Sequence, residues 1–403
     1  VLFRQNFCAA PTCSPSRAAL LTGQAPHTCG MLGLAHRGFA LYDYGRHIVT
    51  TLKKSGYHTA LAGTQHVAHW EDKELLGYDE RLMDASPEAE KTPCEVLARE
   101  FLNRKHDKPF FLSAGFQQTH RKFPEPDPDH YPAEDPRYCL PPAPLPDTPE
   151  TRYDMARFKA SARILDQRMG AVLDALEQAG LAGNTLVICT TDHGIAFPRM
   201  KCNLHDSGIG VMLIMRGPGG FTGGKVLDSL VSHVDIFPTV CDLAGIERPD
   251  WLQGVSLLPL VRDGAESVRE EVFSEVTWHA AYEPQRCVRT ARYKYIRRFD
   301  DRLKTCLPNC DDSPSKSVWV AHGWGERPYA AEELYDLVFD PNETDNLAGR
   351  SGYDETLEDM RGRLDRWMKE TDDPLLHGPV QPPPGAQVND PDGKSPGEPT
   401  RTV

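Results

Sequence analysis

The chain lacks an apolar run long enough to span a bilayer, and it lacks a cluster of basic residues. Its 403 residues carry a formal net charge of −13, which argues against a nucleic-acid partner. A small anionic substrate stays compatible with this charge, because it needs positive charge only at its binding site. The eleven cysteines are odd in number and have no repeating spacing, so they do not indicate a disulfide framework. Cys306 and Cys310, in a polar loop, could pair or stay free.

The start of the chain also lacks expected features. Residue 1 is valine, no charged-then-apolar leader follows it, and the first twelve residues contain no Asp or Glu. We expect that the natural N-terminus is absent, so the sequence gives no information on a signal peptide or on the compartment.

The most informative segment is Cys13–Gly23, in which a cysteine stands at a predicted helix start. Ser14 is predicted to cap this helix, Pro15 suits its first turn, and Gly23 can end it. Unpaired backbone N–H groups and the helix dipole favour an anion at such a terminus. Arg17 lies about one turn further along, on the same side. A nucleophile, a helix N-terminus and a guanidinium together suit chemistry on a tetrahedral oxyanion.

This segment resembles the sulfatase signature C-x-P-S-R followed by L-T-G, and it matches every fixed position. The resemblance implies that a formylglycine-generating enzyme oxidises Cys13 to formylglycine after translation, a change that the sequence itself does not display. It also implies that the hydrated aldehyde is the nucleophile toward a sulfate ester. The alternative is a chance match, in which Cys13 is a structural thiol at a capped helix.

The hydrophobic periodicity predicts an α/β fold. A long amphipathic helix over Tyr153–Gly180 precedes the short apolar run Leu186–Cys189, which is typical of a buried parallel strand. Val288–Thr290 and Tyr293–Ile296 predict two strands of a small antiparallel sheet. The sulfatase resemblance implies an alkaline-phosphatase-like architecture, with a large mixed, mostly parallel sheet flanked by helices.

The change in composition along the chain predicts three parts. The resemblance implies a sulfatase catalytic domain at residues 1–268, with its N-terminal strand missing, and the more polar segments beyond it predict a smaller C-terminal α+β subdomain at 269–377. Residues 378–403 are rich in Pro, Gly and Asp and have little to bury, so we expect a disordered tail.

The predicted strand at 186–189 leads to Asp192, His193 and Gly194, at the edge where open α/β sheets place ligand sites. This order resembles the sulfatase metal motif, a strand followed by D-[HN]-G. The resemblance implies that Asp192 and His193, with the oxidised Cys13, bind Ca²⁺ or Mg²⁺. The alternative is a strand-end turn in which Asp192 caps a backbone group. Sulfatases also carry adjacent aspartates ahead of the cysteine, which we expect in the absent segment.

The resemblance assigns three further residues. His66 corresponds to the histidine of the family's G-K-x-H, although Thr64 stands where lysine is usual. His120 matches the last histidine of a family loop, and Gln117 stands where close relatives have another histidine. Lys201 lies where the family places a basic residue on the sulfate. The alternatives are a core histidine for His66 and a solvated surface lysine for Lys201.

We therefore expect a sulfuric ester or sulfamate hydrolase. Residues 30–34, 195–198 and 367–374 look similar to the sulfamidase, or heparan N-sulfatase, branch, which implies an N- or O-sulfated sugar as substrate. Two alternatives stay open. One is a phosphate or phosphonate ester hydrolase of the same superfamily, and the other is a catalytically degenerate binding protein.

The implied mechanism uses covalent catalysis. Arg17 orients the nucleophile and shares charge with the metal, which acts as a Lewis acid. Lys201 stabilises the transferring sulfate, His120 is the candidate acid for the leaving group, and His66 accepts a proton as sulfate departs.

Overall fold

The computed structural model describes residues 1–82, 92–124 and 134–403. Its helices within these ranges are α1 (Cys13–Thr22), α2 (Pro26–Cys29), α3 (Ile48–Lys54), α4 (Cys94–Leu102), α5 (Pro149–Gln178), α6 (Asp206–Ile209), α7 (Ile236–Ala244), α8 (Pro314–Ala321) and α9 (Asp354–Glu370). None of these helices is long and apolar enough to cross a membrane.

The strands divide between central and C-terminal sheets. They are β1 (Leu2–Phe7), β2 (His58–Gly63), β3 (Glu80–Leu82), β4 (Phe110–Gly115), β5 (Val187–Thr190), β6 (Leu213–Arg216), β7 (Val226–Ser232), β8 (Glu271–Trp278), β9 (Tyr282–Thr290), β10 (Tyr293–Arg298), β11 (Glu332–Asp336), β12 (Gln387–Val388) and β13 (Arg401–Thr402).

The central strands form a mixed and mostly parallel arrangement, as the sequence predicts. β3, β2 and β4 are parallel, and β1 is parallel to β7. β6 runs antiparallel to both β1 and β5, in the order β5-β6-β1-β7. The prediction of parallel pairing for β5 is therefore wrong, because its partner within the described chain is the reversed strand β6. The residues of β5 are half-buried, and a short apolar run is typical of parallel strands without requiring that direction.

The helix α5 confirms the long helix that the hydrophobic periodicity predicts, and it begins four residues before Tyr153, at Pro149. Thr148 accepts a hydrogen bond from the backbone N–H of Thr151, whose side chain accepts one in return from the N–H of Thr148. Pro149 occupies the first helical position, where its missing N–H costs nothing. This capped start fixes the helix that precedes β5.

The C-terminal strands form the predicted antiparallel sheet, in the order β11-β10-β9-β8. The apolar face of α9 covers this sheet, because Leu357, Met360, Leu364 and Met368 pack in one cluster with Tyr295. This cluster supports β8 and β9, whose connecting turn approaches Cys13.

The prediction of a disordered tail at 378–403 is wrong. β12 and β13 pair there in antiparallel fashion, and Ala386 and Val388 are buried. The backbone N–H of Asn389 donates to the carbonyl of Ala280 at 2.8 Å, and Arg37 donates to the Asn389 side chain at 2.9 Å. A polar composition indicates few apolar contacts, but here backbone and guanidinium hydrogen bonds hold the segment in place.

Candidate active site around Cys13

The N-terminus of α1 presents a buried cysteine. Cys13 is the first residue of the helix, and Gly23, at φ 68°, ends it as the sequence predicts. The predicted cap at Ser14 is wrong, because Ser14 lies inside the helix and its hydroxyl accepts the N–H of Ala35 at 3.0 Å. The N-cap position belongs to Thr12, whose side chain makes no capping bond. Ser14 therefore fixes the segment beside Cys13 rather than the end of the helix.

His193 lies directly against the cysteine. Its Nε2 is 3.2 Å from Sγ of Cys13, while its Nδ1 is 2.7 Å from the carbonyl of Gly194. Burial opposes ionisation of Cys13, but Lys201, His193 and His120 outweigh it and hold the pKa of the thiol well below its ordinary value. Burial likewise opposes protonation of His193, but Asp192 and Cys13 raise its pKa to about 9. The unmodified site therefore favours a thiolate beside an imidazolium.

Arg17 joins α1 to the end of β5. Its Nε donates to a carboxylate oxygen of Asp192 at 3.0 Å, and the hydroxyl of Ser16 donates to the backbone carbonyl of Asp192. Burial works against the charged carboxylate, yet His193 and Arg17 lower the pKa of Asp192 below its ordinary value. Asp192 is therefore an anion at neutral pH and is held by Arg17, which lies one helical turn after Cys13.

Three of the predicted site residues form a candidate metal centre. One ligand atom from each of Cys13, Asp192 and His193 lies within 4.8 Å of the others. A hard divalent cation prefers oxygen ligands, and Ca²⁺ takes about six to eight of them. Asp192 supplies one carboxylate, and an oxygen in place of Sγ of Cys13 would supply a second. The cluster thus fits one side of a divalent cation and would leave positions for further oxygen ligands.

Lys201 is buried rather than solvated. It is 5% exposed, and its Nζ lies 2.9 Å from Oδ2 of Asp311. Burial opposes the charged form, but Cys13 and Asp311 raise the pKa of Lys201 above its ordinary value. The ammonium is therefore a fixed positive charge beside Cys13, which rules out the surface alternative.

His120 belongs to the same group of side chains. Its Nδ1 is bonded to the carbonyl of Arg121, and the thiol of Cys13 raises the pKa of His120. Arg121 anchors the loop through two hydrogen bonds of 2.8 Å to the buried carboxylate of Asp154. Because Nδ1 is engaged by that carbonyl, Nε2 is the nitrogen with which His120 can exchange a proton.

His66 is not brought to Cys13 in the same way. Its Nε2 lies 2.7 Å from Nδ1 of His36, the two rings stack, and no hydrogen bond joins it to Cys13 in the described parts of the chain. Thr64 and Gln117, the two residues that differ from the sulfatase pattern, are neighbours, since Thr64 Oγ1 lies 3.5 Å from Gln117 Oε1. This part of the site therefore carries neutral side chains at the positions where lysine and a second histidine are usual.

Two residues at the site were missed in the sequence. Asp311 follows a short turn at Leu307–Asn309, and His279 lies between β8 and β9. Both approach Cys13 from segments that the sequence assigns to a separate subdomain. The one local signal is the acidic pair Asp311-Asp312 in a polar loop, and such pairs are ordinarily solvated.

Comparisons with known proteins agree with this geometry. The family model described as Sulfatase matches residues 1–246, and the model described as N-sulphoglucosamine sulphohydrolase, C-terminal, matches residues 194–317. The two matches together span the helix with Cys13, the segment with Asp192 and Lys201, and the turn with His279.

Individual relatives are similar over nearly the whole chain. The human protein N-sulphoglucosamine sulphohydrolase is 31% identical, with 94% of this chain and 85% of that protein covered. An ulvan-active sulfatase of Formosa agariphila is 28% identical, with 93% and 74% covered. Among solved structures, a 2-O GAG sulfatase superposes with a TM-score of 0.69 at 25% identity, covering 95% of this chain and 87% of that one.

Proposed function

The chain belongs to the sulfatase family, and on that premise we propose that it hydrolyses the sulfate group from a sulfated saccharide. The observation that carries the proposal is the set of charged side chains that meet at the N-terminus of α1. Arg17 and Lys201 are cations beside Cys13, and Asp192 with His193 completes a candidate metal centre. The similarity to an N-sulphoglucosamine sulphohydrolase favours an amino sugar with a sulfate on nitrogen.

Cys13 acts as the precursor of the nucleophile. A formylglycine-generating enzyme would convert its side chain to an aldehyde, and hydration gives a geminal diol. One diol oxygen would pass its proton to the adjacent Asp192 carboxylate and form a bond to sulfur, while the bond from sulfur to the sugar nitrogen or oxygen would break. Lys201 and Arg17 offset the negative charge of the sulfate oxygens during this transfer.

Two histidines, His120 and His66, are the candidate proton donor and acceptor. His120 is the candidate donor to the departing sugar atom, because its Nδ1 is engaged by the Arg121 carbonyl, which leaves the proton transfer to Nε2, and because Cys13 raises its pKa. The second diol oxygen must then lose a proton as the bond from carbon to the sulfate oxygen breaks, which releases sulfate and restores the aldehyde. His66 is the candidate acceptor, and it would act through a shift of the His36–His66 pair or through a bridging water.

The metal would be held by Asp192, His193 and the oxidised Cys13. We propose Ca²⁺ or Mg²⁺, because carboxylate and diol oxygens are hard ligands. When bound, such an ion supplies a Lewis acid that polarises oxygen. Arg17 holds the Asp192 carboxylate in place for that role.

Release of inorganic sulfate tests this function. Protein from a host that matures sulfatases is assayed with N-sulfoglucosamine, glucosamine 6-O-sulfate, an aryl sulfate and a phosphonate monoester. We expect turnover of the sulfated sugars, its loss in Cys13→Ser, and its retention in Cys189→Ser, a control cysteine in β5. Turnover of the sugars by Cys13→Ser at the wild-type rate would contradict the mechanism.

A phosphonate or phosphate ester is the second candidate substrate. The observation in its favour is the neutral pair Thr64–Gln117, which stands where the sulfatase pattern has a lysine and a histidine to contact the sulfate. Preferential turnover of the phosphonate monoester in the same assay would establish this alternative. Binding of sulfated sugar without turnover of any ester would establish the degenerate binding protein.

A further inference from the structure

The strand β8 runs beside the segment that enters Cys13. The hydroxyl of Ser274 donates to the carbonyl of Cys8 at 2.6 Å, and the N–H of Glu275 donates to the carbonyl of Ala9 at 2.9 Å. Further along, the N–H of Trp278 donates to the carbonyl of Leu32 at 3.0 Å. These bonds deliver the next residue, His279, to the surroundings of Cys13.

The imidazole of His279 is buried, and its Nδ1 atom is unpaired among the described residues. The residue is 5% exposed, and its Nδ1 has no hydrogen-bond partner among the residues that the structure describes. Burial lowers the pKa of His279, while the Cys13 thiol acts in the opposite direction. Buried polar atoms are ordinarily hydrogen-bonded, so this nitrogen is available for a hydrogen bond to water or to a bound ligand.

The turn that carries His279 is held from three sides. The side-chain oxygen of Asn309 accepts the N–H groups of Ala280 and Ala281 at 2.9 Å each. The N–H of Asn389 donates to the carbonyl of Ala280 at 2.8 Å, and Arg37 fixes the Asn389 side chain. A turn fastened by separate segments presents its histidine in one orientation, which is what a selective contact needs.

The chemistry of the imidazole favours the sugar over the sulfate. The unpaired nitrogen of a neutral imidazole is either a donor or an acceptor, and a hydroxyl or amine can pair with it in either case. Sulfate oxygens accept hydrogen bonds only, and the cations Arg17 and Lys201 already serve them. The nearby carboxylate of Asp311 further disfavours an anion at this side and favours hydroxyl donors.

We propose that His279 is a specificity-determining residue that hydrogen-bonds a hydroxyl or amine of the sugar ring next to the transferred sulfate. This inference rests on the proposed function and deepens it. The C-terminal subdomain would then select the saccharide, while α1 and the end of β5 carry out the sulfate chemistry.

Substrates with and without a sugar ring separate these roles. In His279→Leu we expect kcat/KM for N-sulfoglucosamine to fall about 100-fold, since a site built to hydrogen-bond a hydroxyl loses most when the pairing is lost. An aryl sulfate has no ring hydroxyl, so its kcat/KM should change by less than about threefold. His279→Gln, which keeps a donor and an acceptor, should recover part of the loss.

His47→Leu is the matched control, because His47 is also a buried histidine but caps α3. We expect it to lower stability without changing the ratio of sugar to aryl turnover. Equal losses on both substrates in His279→Leu, or no loss on either, would overturn the inference.

A binding measurement keeps the inference testable if wild-type protein releases no sulfate, an outcome that would reject the proposed function alone. Calorimetry then compares N-sulfoglucosamine binding by Cys13→Ser with binding by the double variant Cys13→Ser/His279→Leu. About tenfold weaker binding by the double variant supports the contact, and equal binding refutes it. Thermal melting of each variant verifies that it is folded.

Discussion

The ammonium of Lys201 lies 2.9 Å from a carboxylate oxygen of Asp311, although the two residues are 110 positions apart in the chain. Their side chains are only 5% and 19% exposed, so water screens the pair weakly. This ion pair joins the segment after β5 to the C-terminal part of the chain and sets the position of a cation beside Cys13.

Removing the carboxylate should leave Lys201 without its partner. We expect Asp311→Asn to lower the free energy of unfolding by about 1–3 kcal/mol and to lower kcat, since Lys201 loses the position from which it offsets charge during the transfer. Urea unfolding and sulfate-release kinetics measure these effects. The control is Asp312→Asn, whose carboxylate is 59% exposed and should matter by at most about 1 kcal/mol. Equal effects of the two variants would contradict a special role for Asp311.

Oxidation of Cys13 should be visible by mass. Trypsin cleavage after Arg4 and Arg17 gives a peptide that contains Cys8 and Cys13. In mature protein we expect the CH2SH group of Cys13 to be replaced by CHO. Treatment of the denatured protein with a thiol-alkylating reagent should then add one alkyl group to the peptide, on Cys8. Two alkyl groups on protein from a host that matures other sulfatases would show that this chain escapes the modification.

Metal binding should stabilise the folded protein through Asp192. Ca²⁺ at a hundred times its dissociation constant should add about 2.7 kcal/mol to the free energy of unfolding, and EDTA should reverse this. The gain should be lost in Asp192→Asn and kept in Asp228→Asn, which alters a surface pair with Arg4. Thermal melting with Ca²⁺ and with Mg²⁺ identifies the preferred ion, and stabilisation of Asp192→Asn equal to wild type would reject the site.

The pH dependence of stability should contain a contribution from Glu283. Burial raises the pKa of this carboxyl from 4.5 to about 7, so the folded state holds the proton more tightly than the unfolded state. Its contribution is complete below pH 4.5 and is lost as the pH rises through 7. As the pH rises from acidic to alkaline, the free energy of unfolding of Glu283→Gln should therefore increase by about 3 kcal/mol relative to that of wild type.

Urea unfolding across this pH range measures the difference. Glu100→Gln, an exposed substitution on α4, is the control and should follow the wild-type curve. Parallel curves for wild type and Glu283→Gln would show that the carboxyl stays ionised in the folded protein, paired with Arg298.

Local patterns predicted the parts of the site that depend on neighbouring residues. The helix that starts at Cys13 and ends at Gly23 follows from short-range preferences, and the motif at Asp192 follows from a strand end. The resemblance to sulfatases then added Lys201 and His120, which the structure brings to Cys13.

The features that the sequence did not predict depend on contacts between distant segments. His279 and Asp311 reach the site through β8 and the turn at Leu307–Asn309, and no short-range pattern encodes such an approach. The ordered tail was not predicted for the same reason, since distant residues hold it, as in the hydrogen bond from Asn389 to the carbonyl of Ala280. His66 was matched by its place in a motif, yet its partner His36 comes from another segment.

The strand β8 is synthesised long after the segment of Cys13 that it packs against. The hydroxyl of Ser274 donates to the carbonyl of Cys8, 266 positions earlier in the chain. The ribosome therefore makes the segment that leads to Cys13 early and the strand that packs on it late. In the finished fold Cys13 is 6% exposed. We therefore expect an enzyme that oxidises Cys13 to act while the chain is still being synthesised or is still unfolded, and a chain that folds first to keep its thiol.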